Sequence, residues 1–154
     1  MDREPSIEDA KLILQLYEMR REPRMREARK WFVANFYCQT LEEMTALCPP
    51  GSEMSASARM VTSYWEMAAS FITSGVLSDE LFFQSGQELL LTWTRVKPLL
   101  AATRAAFGNP RYLANLEEVS QRFIAYWNRI SPGMYEGFVS RVGVRPGSQA
   151  AKTS

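Results

Sequence analysis

The sequence contains no histidine. That removes serine and cysteine triads of the usual kind, imidazole acid–base chemistry and the commonest metal ligand. The eight glycines are scattered and form neither GxGxxG nor Walker spacing, so phosphate loops of those kinds are excluded. Cysteine is scarce too. Cys38 and Cys48, ten residues apart, make neither a disulfide framework nor a metal pattern, and they read as two reduced, half-buried thiols. The sequence calls for no cofactor. Long apolar runs are also missing: uncharged stretches such as Met67 to Ser78 fall short of the roughly 18 residues of a membrane span. The opening MDREPSIEDA lacks the basic-then-apolar order of a signal peptide. We therefore expect a soluble, cytoplasmic protein with no membrane span.

What is present belongs to a folded chain. Hydrophobic residues make up 46%, charged ones 23% and aromatics 12% of 154 residues, enough to bury a core without disulfides or metals. No segment alternates with period two, whereas helical spacing recurs throughout. The expected fold is all-α: a single-domain bundle of about six to seven helices over 1–142, with a flexible tail over 143–154, GVRPGSQAAKTS.

Ser6 with Asp9 reads as a capping box, followed by an apolar stripe of Ile7, Ala10, Ile13, Leu14 and Tyr17. Pro23 interrupts, and a second helix follows with Ala28, Phe32 and Phe36 on one face. Thr40 with Glu43 opens a short helix that CPPG ends, and GSEMSAS reads as a loop. From about Ala56 to Ser74 the stripe is Val61, Tyr64, Trp65, Ala68, Phe71 and Ile72, with Gly75 as a left-handed cap. Ser78 caps a short helix. Ser85 with Glu88 starts a long one, through Leu89, Trp93, Val96, Leu100, Thr103 and Phe107, which Pro98 should kink. After Gly108, Asn109 and Pro110 read as the start of a last helix through Leu113, Leu116, Val119, Phe123, Trp127 and Ile130.

The net charge of +1 hides blocks of −3 over 1–19, +4 over 20–30, −6 over 31–94 and +6 over 95–154. Arg20 to Lys30, beside Trp31 and Phe32, is the best nucleic-acid candidate. Helical Glu–Arg and Glu–Lys spacings within it, and a near-neutral pI, favour instead a solvated face or one meeting an acidic partner. Glu42 with Glu43 and Glu117 with Glu118 are adjacent on helices and point about 100° apart, so neither pair converges as an acid–base or metal site.

One carboxylate stands out. Glu66 and Arg59 are the charges of the Ala56 to Ser74 helix, and Glu66 lies about 140° from Val61 on a face of Thr62, Ala69 and Thr73. A solvent face would carry more Lys and Glu, so this helix is expected to be covered on both sides. A buried Glu66 needs a partner, and Arg104, alone in LLAATRAAF, is the nominee. The pair is either structural or the polar anchor of an apolar pocket lined by Trp65, Phe71, Trp93 and Leu100.

Tyr64, Trp65, Glu66, Gly75, Trp93, Pro98 and Arg104 fall in the pattern of an aromatic pair before Glu, a Gly-Val-Leu-Ser turn, a following Trp, and a Pro before an Arg. Over roughly residues 63–119 the chain resembles a family of small bacterial all-helical proteins of unknown function. The resemblance implies a helical fold and no reaction, cofactor or catalytic residue. Two functional readings stand. The favoured one is a non-enzymatic interaction protein that self-associates, as a dimer, or docks a protein partner. The alternative is a small-molecule binding or sensing module anchored by Glu66 or Arg104. An enzyme ranks third.

Overall fold

The computed structural model describes residues 3–147. Among them are nine α-helices and no strand, so the fold is all-α. In chain order these are α1 (Ile7–Arg21), α2 (Pro23–Asn35), α3 (Leu41–Leu47), α4 (Glu53–Thr73) and α5 (Asp79–Phe83). They continue with α6 (Gln87–Val96), a 3-10 turn (Lys97–Leu99), α7 (Leu100–Phe107), α8 (Ala114–Ile130) and α9 (Met134–Val142).

α4 is the axis of the fold, packed by α2 on one side and α8 on the other. Its Val61, Tyr64, Trp65, Ala68 and Ile72 are buried as the stripe predicted. Thr62 and Ala69 on the opposite face are buried as well, under helices of the same chain, while Ser63 beside them stays exposed. α6 and α9 pack on α8, and α1 lies across α2 and α5.

The two helices beyond seven have local causes. Pro98 does more than bend the long helix. It turns Lys97–Leu99 into 3-10 geometry and divides the element into α6 and α7. The other is α9, a short segment after Gly133 that the apolar pattern did not single out. Helix starts shift too. α4 begins at Glu53 because the Ser52 hydroxyl accepts from the amide of Ser55, so five of the seven residues of the expected GSEMSAS loop are helical. α6 is entered from Gly86 without a side-chain cap, since Glu88 is drawn off to Arg20 and Arg29; a side chain at Gly86 would strike the Phe82 ring. α8 starts four residues after Pro110. The Asn109 side chain accepts from the amide of Arg111 in a turn, and the helix opens only past Leu113, held in the left-handed region at φ 55°.

α1 faces the other way from its expected stripe. Asp9 and Leu16 are buried, with Leu12 and Ile13 half-buried, while Ile7, Leu14 and Tyr17 face solvent. Apolar residues lie all around this helix, and the polar anchor at Asp9 decides which face turns inward. Phe107 and Ile130, at the ends of their seams, are also exposed. The tail expected from Gly143 is described as far as Gly147, and 148–154 lie outside the described residues.

Candidate functional site

Glu66 is half-buried, as its surroundings predicted, but its partner is not Arg104. One carboxylate oxygen accepts from the backbone amide (3.2 Å) and side-chain amide (2.9 Å) of Asn115, the other from the amide of Leu116 (2.7 Å). These are first-turn amides of α8, whose own Leu113 carries no capping side chain. Glu66 supplies that cap from α4, where a carboxylate also meets the positive end of the helix dipole. Arg104 turns to the same segment by another route: its Nε donates to the Tyr112 carbonyl at 2.9 Å and its Nη1 lies 3.3 Å from Glu117. The proposed direct pair is therefore corrected to two separate contacts on the entry to α8. Backbone groups at a helix end compete for charge, and residue types alone do not display them. Glu66→Gln is expected to cost about 1 kcal/mol and to speed amide exchange at Asn115 and Leu116; unchanged exchange there would refute the capping role.

The other nominated residues do not meet around one pocket. Trp65 and Trp93 are core residues, and Phe71 is half-buried on α4. Trp65 packs edge-on to Tyr64 and Phe82 and lies under the Arg20 guanidinium, 5.3 Å from the ring centre. Of the four expected lining residues, Leu100 alone borders the cavity found among α3, α4, the 3-10 turn, α7 and the segment before α8. This cavity holds about 240 Å³, with walls that include Phe36, Met44, Leu99 and Leu100 and with Arg59 also lining it. Burial pushes the Cys48 thiol beside it up to about 11, so that side chain stays protonated and is no nucleophile at neutral pH.

Three further charges missed or under-read in the sequence are engaged inside the fold. Asp9 accepts from Arg3 (2.8 Å), the amide and hydroxyl of Ser6 (2.7 and 2.8 Å) and the amide of Ser78 (2.8 Å), tying α1 to the start of α5. Glu88 receives Arg29 through Nε (2.7 Å) and Nη2 (2.6 Å), and Arg20 at 3.3 Å, which consumes two cations of the Arg20 to Lys30 stretch. Arg95, 3% exposed, donates to the carbonyls of Val33, Phe36 and Val142 at 3.0, 2.9 and 2.6 Å and lies 3.7 Å from the Tyr37 ring centre. It thereby closes the C-terminal ends of α2 and α9 together. Its signal was present in the sequence: LLLTWTRV carries one charge on a helix apolar nearly all round.

Among the described residues no three His, Cys, Asp or Glu side chains converge to hold a metal, and no helix is long and apolar enough to cross a membrane. The family of the domain of unknown function DUF4760 matches residues 5–123. The chain belongs to that family. The match runs from the residues before α1 into α8, so it takes in Glu66, Arg95, Asp9 and the cavity walls, and leaves α9 outside. DUF4760 carries no assigned function, in agreement with what the resemblance over 63–119 implied. No curated protein and no solved structure matches the chain.

Proposed function

We propose that this DUF4760 chain is a non-enzymatic helical interaction module that self-associates through the outer face of α1. The observation that supports the reading most directly is the apolar stripe turned to solvent there. Ile7, Leu14 and Tyr17 are 75%, 63% and 49% exposed, and with Ala10 they fall within about 80° of arc at 100° per residue. Glu66, Arg95, Asp9 and Glu88 are, by contrast, engaged at helix ends or in internal ion pairs.

A second copy is the occupant that the charges favour. Lys11 and Glu18 sit on the same edge of the stripe, at equal distances on either side of its middle at Leu14 and Gln15. In an antiparallel two-fold pair, equivalent edges face each other. Lys11 of one copy then meets Glu18 of the other, twice by symmetry, while Leu14 packs near its own equivalent. Among the described residues of one copy these two charges make only exposed contacts along their own helix, Lys11 with Glu8 at 3.0 Å and Glu18 with Arg21 at 4.0 Å, which are weak and exchangeable.

One helix face lies at the low end of specific interface size, so the dimer should depend on concentration. Sedimentation over a concentration series is expected to show monomer and dimer in exchange. Leu14→Glu should abolish the dimer while leaving the helical circular-dichroism signal intact. Lys11→Glu should weaken it, and adding Glu18→Lys should restore it. Monomer at every concentration, or a Leu14→Glu variant that dimerises as well as the parent, would overturn the proposal.

A further inference from the structure

The cavity between α4 and α7 has a composition that α1 and its stripe do not explain. Its walls are mostly apolar, and two of the polar groups on them, Thr103 and Arg59, have hydrogen-bonding capacity to spare. Thr103, 4% exposed, has a hydroxyl with no hydrogen-bond partner among the described residues. Arg59 makes no ion pair among them, and its one side-chain contact is a long 3.4 Å bond from Nε to the Ser55 carbonyl on its own helix. The rest of the guanidinium is left to water. The half-buried Arg20, Arg29 and Arg104 each face a carboxylate, whereas the exposed Arg59 borders an apolar cavity.

An apolar chamber with one cation and a spare hydroxyl complements an amphiphilic anion. The volume sets the size. About 240 Å³ accommodates roughly eight non-hydrogen atoms at about 30 Å³ each, the volume a water molecule takes in the liquid, which matches the eight carbons of octanoate with its two carboxylate oxygens at the rim on the exposed Arg59. We propose that the cavity binds a medium-chain monocarboxylate, its carboxylate on the Arg59 guanidinium and its alkyl chain among Phe36, Met44 and Leu100. The hydroxyl of Thr103 is a further donor within the chamber. Binding here is independent of α1, so it holds whether or not the chain self-associates.

The test uses the full chain and octanoate, below the concentration at which it aggregates, followed by calorimetry and by amide shifts of residues 99–103. Saturable binding is expected, with shifts centred on α7. Octylammonium, the same chain with the opposite charge, should bind at least tenfold more weakly, and Arg59→Gln should weaken octanoate by a similar factor while leaving octanol unaffected. Arg59 is exposed, so this variant should keep its fold, and its circular dichroism checks that it does. Thr103→Val, which keeps the shape and removes the hydroxyl, should weaken octanoate severalfold. No saturable binding of octanoate, equal binding of octanoate and octylammonium, or shifts centred away from α7 would each overturn the proposal.

Discussion

Replacing Arg95 with methionine is expected to lower stability in urea unfolding by on the order of 3 kcal/mol, about one for each of its three well-formed bonds to carbonyls. The carbonyls of Val33, Phe36 and Val142 would remain in place, and methionine offers them no donor. Burial lowers the Arg95 pKa, but a guanidinium stays charged at neutral pH, so the side chain is a buried cation answered by helix ends and by Tyr37. Lysine keeps the charge and loses the fork that spans α2 and α9, so Arg95→Lys should recover only part of the loss. A cost below about 1 kcal/mol for Arg95→Met would show that water replaces the guanidinium without penalty.

Asp9→Asn is the second large effect, expected at roughly 2 to 3 kcal/mol at neutral pH. The value sits below that of a fully buried pair because Arg3 is 40% exposed and regains water when its partner is lost. The paired Arg3 guanidinium, with the Ser6 and Ser78 donors, holds the Asp9 carboxyl well below the usual carboxylate range. A depressed folded-state pKa contributes stability that is complete above the unfolded value of about 4 and is lost as pH falls from there towards the folded value. The stability gap between the parent and Asp9→Asn should therefore be constant from about pH 7 to 5 and narrow below about pH 4. A gap that stayed constant down to pH 2 would mean that the carboxylate charge contributes nothing.

Much of the core was readable because burial leaves a periodic trace. Phe32 and Phe36, the α4 stripe, and Leu89, Trp93 and Val96 all went where their spacing sent them. The burial of Glu66 was readable as well, from the lack of Lys and Glu around it. Its partner was not, because the amides of Asn115 and Leu116 belong to a helix end and carry no residue-type signature. The face of α1 was misread for a related reason: Asp9, a polar residue, is the one its surroundings hold inside. The cavity drew on residues from five separated segments, and among its walls only Leu100 had been assigned to a pocket.

Arg95 also bears on the order in which the chain assembles. Its bonds reach 59 residues back to Phe36 and 47 residues forward to Val142. Until both helix ends arrive, a guanidinium is better hydrated than half-buried, so the charge stays in water through the early steps and is dehydrated only when α2, α6 and α9 have met. Contacts of this range close late and are the first lost on the way out. The side chain therefore acts on how long the folded molecule lasts, more than on how quickly it forms.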